Sequence, residues 1–319
     1  MDLSIIIVNW NAKGFLQECL GSIFAQGFSR PFEVIVVDNC SKDGSVDMVR
    51  AEFPQVVLIE NKKNYGFAKA NNIGIKQSAG KYLALINSDV KLIEGCLYQM
   101  CAFMDQHPKI GISGPRILNS DYSLQDSCRK FPTLWNNFCE AVGLNKLFPK
   151  SDFFCGEHMI FFPHDEVRRV DGLVGAFWMV RRSALDKVGL LDERFFIYAE
   201  DIDWCRRFWN AGWEVIFCPS ARAIHYIGRS SANDPVRFSA EQMKAKFQYW
   251  GKHHSRFHVF ALSAIVLFHY GVRAACEALR FAVASRGKPG ASERMKMRLA
   301  AFNGACRVAL EAFEPIQKP

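Results

Sequence analysis

Short continuous apolar runs alternate with amphipathic stretches over the first hundred residues. Ser4–Val8, Glu33–Val37, Val56–Glu60 and Tyr82–Ile86 have strand length and β-rich composition. Between them, stretches near Phe15–Ala25, Ser45–Phe53 and Ala68–Ser78 carry helical spacing. This βαβα alternation predicts an α/β fold with a mostly parallel central sheet, helices on its faces and ligands at the C-terminal strand ends. Polar residues gather at those ends: Asn9 and Asn11 after the first run, Asp38 to Gly44 after the second, Asn87 to Asp89 after the fourth. Farther along, Trp204, Phe208 and Ala211 are spaced for the apolar face of a short helix, with Gly212 as its stop. Its first turn holds Glu200, Asp201 and Asp203, where unpaired backbone N–H groups and the helix dipole favour negative charge. First turns are enriched in acids anyway, so this cluster alone does not define a site.

The pattern changes character after Phe257. From there to Ala284 the chain is apolar, interrupted by His258, His269, Arg273, Glu277 and Arg280. The apolar run Val259–Phe268 falls short of the roughly 20 residues a bilayer span needs. A second helix, from about Ser292 to Phe313, aligns Met295, Leu299, Phe302, Cys306 and Leu310, with Arg294, Lys296, Arg298 and Arg307 around that stripe. Two readings stand: helices that pack on the rest of the protein, or an in-plane pair resting on a membrane surface. The expected division is a catalytic domain over 1–235 and a helical region over 236–319. Between Arg116 and Arg169, Trp135, Phe138, Phe148, Phe153, Phe154, Phe161 and Phe162 suit a core, an acceptor platform or a lid. Part of an acceptor site is expected there, because specificity usually resides in loops on a fixed scaffold.

Composition narrows the partners. A formal charge of +8 over 319 residues suits a nucleotide, a lipid phosphate or a membrane surface; no nucleic-acid partner is expected. Eleven cysteines with no C-x-x-C pair argue for reduced thiols in a cytosol-like compartment. The start, Met-Asp-Leu-Ser-Ile-Ile-Ile-Val, reads as a strand and not as a signal peptide. Neither G-x-G-x-x-G nor G-x-x-x-x-G-K-[ST] is present, which disfavours both common phosphate loops. Asp38 suits a turn or a ribose contact. Asp89 suits an Asx turn, or a ligand to Mg²⁺ or Mn²⁺, which needs only one or two carboxylates plus substrate phosphates. His225, near Arg229, Ser230 and Ser231, suits a core position or a metal and diphosphate contact.

Taken together, the chain resembles the family 2 glycosyltransferases, which have the GT-A nucleotide-sugar fold, and within them the rhamnosyltransferase-like branch. The residues that carry the resemblance are Ser4 to Asn11, Val36 to Ser45, Asn64 to Gly74, Leu85 to Asp89, Gly175 to Val180, Glu200 to Asp203, and His225. They occur in the family's order over about residues 3 to 231; the last ninety residues lie outside. The resemblance implies that Asp38 contacts the nucleotide base or ribose, with Asn9 beside it. Asn64, Gly66, Asn71, Asn72, Ser88 and Arg229 would shape the donor side. Asp89 would be the main metal ligand, assisted by His225; Asn87 replaces the first acid of the family's D-x-D motif. Asp201 would be the catalytic base, with Glu200 its partner and Asp203 and Trp178 on the acceptor side.

The implied reaction is attack of an acceptor hydroxyl on the anomeric carbon of a nucleotide sugar, with inversion. It needs a carboxylate to take the hydroxyl proton and cations to stabilise the departing diphosphate. The expected enzyme uses a dTDP- or UDP-linked sugar, a deoxyhexose such as rhamnose, and a saccharide or lipid-linked acceptor in cell-surface polysaccharide synthesis. Its expected location is the cytoplasmic face of the membrane, bound peripherally. The alternative is a non-catalytic nucleotide-sugar-binding or scaffold protein that keeps the fold. The sequence leaves the oligomeric state open.

Overall fold

In a computed structural model, residues 1–226, 235–283 and 291–311 are described. The chain forms two compact units: 1–131 with 158–235, and 132–157 with 236–319. The segment 132–157, placed in the catalytic domain from sequence, therefore belongs with the C-terminal helices.

The first unit opens with β1 (Leu3–Asn9), α1 (Lys13–Phe24), β2 (Phe32–Asp38), α2 (Ser45–Glu52), β3 (Val57–Glu60), α3 (Phe67–Gln77) and β4 (Tyr82–Asn87). β5 (Val90–Leu92), α4 (Cys96–Gln106), β6 (Ile110–Leu118) and β7 (Cys128–Arg129) follow. In the second unit the chain then forms α5 (Leu134–Val142), α6 (Leu144–Leu147) and α7 (Asp152–Cys155). Back in the first come β8 (Arg168–Arg169), β9 (Gly172–Leu173), β10 (Phe177–Arg181), α8 (Arg182–Val188), α9 (Glu200–Asn210) and β11 (Glu214–His225). The sheet order is β3-β2-β1-β4-β10-β6-β11-β5, with β8 also on β11. β3, β2, β1 and β4 are parallel, as their alternation with helices requires. β10 enters antiparallel between β4 and β6, and β11 runs parallel to β6.

Burial on both faces explains why the parallel strands read as unbroken apolar runs. Ile5 and Ile7 pack into one cluster with Leu16, Leu20 and Val36, while Ile6 joins Leu83, Leu85, Trp178 and Trp204 in another. The register sets the polar strand ends side by side, with Asn9 opposite Asp38 and Val8 opposite Asn87. All eleven cysteines are free thiols.

The second unit adds α10 (Pro235–His253), α11 (Arg256–Val283) and α12 (Ala291–Glu311). α5 docks within this unit, where the His269 ring nitrogen Nδ1 lies 3.0 Å from the Ala141 carbonyl. α11 departs from the sequence expectation. It is a single helix of 28 residues, and its best 18-residue window has a mean hydropathy of 1.7. By length and composition it is able to cross a membrane. Arg273 and Arg280 do not interrupt it, because both are exposed on a continuous helix.

Candidate active site

The polar strand ends form the first half of the site. The Asp38 carboxylate accepts from the Asn9 amide at 2.9 Å and from the Ser41 backbone N–H at 2.8 Å. Asn9 Nδ2 also donates to Ser41 Oγ at 3.1 Å, while Asn9 Oδ1 is buried without a partner. Behind this row, Asn39 donates to the Gly66 carbonyl and accepts from Asn61, tying the loop after β2 to the loop before α3. Asn64 Oδ1 accepts from the Gly66 N–H at 2.8 Å. Gly66 has a φ of +82°, and a Cβ there would lie 2.3 Å from the Phe196 carbonyl oxygen. Only glycine permits this approach, which brings the segment leading into α9 against the start of α3.

Asp89 follows β4 and is 8% exposed; Ser88 beside it is also buried. β11 ends antiparallel to β5, with His225 opposite Val90, so residues 135 positions apart meet. His225 Nε2 lies 3.3 Å from Asp89 Oδ1, and Nδ1 lies 2.7 Å from Gln125 Oε1. A carboxylate and an imidazole nitrogen facing one point at a strand end fit two protein ligands of a divalent cation, with diphosphate oxygens and water supplying the rest. Among the described residues no cluster of three or more His, Cys, Asp or Glu could hold a metal unaided.

The second half is the start of α9. Tyr198 and Ala199 adopt φ of +71° and +61°, two successive non-glycine residues in the left-handed region. Such strain costs about 1–3 kcal/mol per residue and is characteristic of functional sites. It turns the chain sharply into the helix, whose buried Trp204, Cys205 and Phe208 anchor the inner face. Gly212, at φ +81°, lies just beyond its end.

The three acids have three environments. Asp203 is fully buried and accepts from Arg207 Nε at 3.0 Å, while Arg207 also donates to the Val188 and Leu190 carbonyls. Glu200 is 5% exposed and its Oε2 has no hydrogen-bond partner. Burial, then the charge of Asp201, pushes the Glu200 pKa well above the ordinary carboxylate value. Asp201 is half-buried, and Oδ1 accepts from the Ile202 N–H at 2.8 Å. Burial raises its pKa too, against the Ile202 N–H and the charge of Arg129.

Several sequence expectations change here. Asp203 is fully buried and paired with Arg207, which gives it a structural role. Trp178 is fully buried, with its indole N–H on the Leu173 carbonyl 3.1 Å away, so it belongs to the core. Asn72 is buried and its amide brackets Leu191, donating to the carbonyl at 2.8 Å and accepting from the N–H at 3.0 Å. Asn71 is also buried, donating to the Phe67 carbonyl within α3. Arg229, with Ser230 and Ser231, lies outside the described residues. Asn9, Asp38 and Ser88 sit at or beside the strand ends, and Asn64 and Gly66 in the loop between β3 and α3. Gln125 and Arg129 were missed, and no local pattern marks either one.

An Asp–His pair at the strand ends and carboxylates of raised pKa at a helix start are groups suited to a diphosphate-bound cation and a general base. Residues 4–189 match the model of Glycosyl transferase family 2, and the chain belongs to that family. It is 30% identical over 264 residues to N-acetylglucosaminyl-diphospho-decaprenol L-rhamnosyltransferase of Mycobacterium tuberculosis, covering 79% of this chain and 85% of that one. Rhamnosyltransferase WbbL of Escherichia coli K12 is 27% identical over 270 residues, covering 77% and 91%. The mannosyltransferase PcManGT of Pyrobaculum calidifontis, solved with GDP-Man and Mn²⁺, superposes with a TM-score of 0.57 at 17% identity, over 98% of this chain and 88% of that one. The protein is a glycosyltransferase of the GT-A fold.

Proposed function

We propose that this enzyme transfers rhamnose from dTDP-rhamnose, with inversion, to a saccharide carried on a lipid diphosphate. The observation that carries the catalytic reading is the Glu200–Asp201 pair on a strained helix start. A scaffold protein has no use for a buried carboxylate oxygen without a partner, which costs about 1–3 kcal/mol or more. The environments of the two acids separate their roles. Glu200, with an orphan oxygen, is raised well above the ordinary value by burial and the Asp201 charge, while the Ile202 N–H and Arg129 favour the ionised form of Asp201, so Asp201 is the better base of the two.

Asp201 then takes the proton as the acceptor oxygen attacks the anomeric carbon and the bond to the diphosphate breaks. Asp38 and Asn9 hold the nucleoside, and Asp89 with His225 would hold Mg²⁺ or Mn²⁺. A bound divalent cation supplies positive charge for the departing diphosphate. Direct displacement with inversion needs one base on the acceptor side and no donor-side nucleophile, and Asp201 supplies that base in this reading. The two rhamnosyltransferase relatives support the sugar, and the lipid diphosphate in one relative's name supports the acceptor. The test offers dTDP-rhamnose, UDP-N-acetylglucosamine and GDP-mannose in turn, with polyprenyl-diphosphate N-acetylglucosamine as acceptor. A product heavier by one deoxyhexose, from dTDP-rhamnose alone, is expected. Transfer from another donor would overturn the sugar, and no transfer from any would favour the scaffold reading.

The second unit supports docking on an anionic membrane surface at the cytoplasmic face. Its two segments hold 16 Lys and Arg against 8 Asp and Glu, whereas the first unit holds 24 of each. The whole excess of +8 therefore lies in the helical unit. The same unit exposes Trp135, Phe148 and Phe153, which contact one another or Phe154, together with Phe257 and Phe260 on α11. Aromatic and apolar groups beside cations are the signature of an interfacial surface, not of a solvated one. Full-length protein should float with vesicles containing phosphatidylglycerol at low salt and be released as salt rises. Failure to float would remove the proposal. Retention through high salt and alkaline carbonate would mean that α11 crosses the bilayer instead.

A further inference from the structure

We infer that Gln125 is a positioning residue that fixes the tautomer of His225 and so aims a nitrogen lone pair at the cation position beside Asp89. This rests on the reading of Asp89 and His225 as metal ligands. The inference comes from a chain of hydrogen bonds whose directions are set at both ends by backbone carbonyls. The Leu124 carbonyl can only accept, and it lies 3.2 Å from the Asn119 amide, which therefore presents Nδ2 to it. Asn119 Oδ1 is then an acceptor, and Gln125 Nε2 donates to it at 3.0 Å. Gln125 Nε2 also lies 3.2 Å from the His225 carbonyl, a second group that can only accept. Both constraints place the Gln125 amide the same way round. Gln125 Oε1 is thereby left 2.7 Å from His225 Nδ1, so Nδ1 must carry hydrogen. In the neutral ring the lone pair is then on Nε2, the nitrogen 3.3 Å from Asp89 Oδ1.

Without this arrangement the imidazole is free to protonate Nε2 and rotate. Metal-bound histidines generally donate their other N–H to an oxygen, and losing that partner typically costs 10–100-fold in metal affinity. Gln125 reaches this position from outside the ligand strands. Its own N–H bonds the Ile117 carbonyl at 3.0 Å, and Leu124 bridges Leu118, so the loop after β6 is pinned where it passes the end of β11.

The test measures Mn²⁺ affinity directly, by electron paramagnetic resonance of free Mn²⁺ in the presence of dTDP or UDP. Gln125→Leu removes the acceptor and should weaken Mn²⁺ binding by about 10–100-fold. Gln125→Glu keeps an acceptor at Nδ1 but loses both donors, and should bind Mn²⁺ within a few-fold of wild type. A merely structural role predicts the opposite order, because Glu would set a charge against Asn119 Oδ1 and the His225 carbonyl. Glu falling as far as or below Leu would therefore overturn the inference. His225→Ala separates the two levels. If it weakens Mn²⁺ binding and Gln125→Leu does not, Gln125 has no positioning role; if His225→Ala changes nothing, the ligand assignment itself fails.

Discussion

Asp201→Asn should lower turnover by about 10²–10⁴-fold, the usual worth of a positioned general base. Asparagine keeps the shape of the side chain and can still accept from the Ile202 N–H, so the helix start should survive. What it cannot do is take the acceptor proton. Nucleotide affinity in the presence of Mn²⁺ should stay within a few-fold, because the donor side is built from other elements. Glu200→Gln mimics the protonated acid and should retain most of the turnover. The pH dependence follows from the sign of the shift. A base is active only when ionised, and burial raises Asp201, so activity should be gained with rising pH through a value higher than that of an ordinary aspartate. This acid limb should vanish from what activity Asp201→Asn retains. Near-normal turnover in Asp201→Asn together with a dead Glu200→Gln would assign the base to the wrong neighbour.

Local chemistry was legible in the sequence where one element carries it, and illegible where the fold brings distant elements together. The run Ser4–Val8 became the strand Leu3–Asn9, because a parallel strand buried on both faces has no polar interruption to confuse its reading. Trp204, Phe208 and Gly212 marked α9 by helical spacing and a left-handed stop. Burial of individual motif residues was not legible. Trp178 and Asn72 lie inside stretches that match the family, yet both serve packing. α11 was undervalued because charges were counted as interruptions, although charged residues can ride on the exposed side of one unbroken helix. Gln125 was invisible for a different reason. Its partner is 100 residues away, and only the placement of the β6 loop beside the end of β11 brings them together.

Asp89→Ala should abolish metal-dependent binding of the nucleoside diphosphate and lower turnover by about 10³-fold or more. A bound cation is worth several kcal/mol of transition-state charge stabilisation, and each 1.4 kcal/mol is about tenfold in rate. With two protein ligands at the site, loss of the carboxylate leaves His225 as the sole one. The fold should tolerate the change. Asp89 holds the end of β11 through its backbone carbonyl, which accepts from the Tyr226 N–H at 2.9 Å, and alanine keeps that bond. The carboxylate itself faces His225, so removing it empties the cation position without undoing the strand pairing of β5 and β11. Calorimetric titration with dTDP and UDP, with and without Mn²⁺, measures the effect. Wild type should bind more tightly with Mn²⁺, and Asp89→Ala should bind weakly and equally in both conditions. If Asp89→Ala keeps the full Mn²⁺ enhancement, the cation is held elsewhere and the strand-end assignment is wrong.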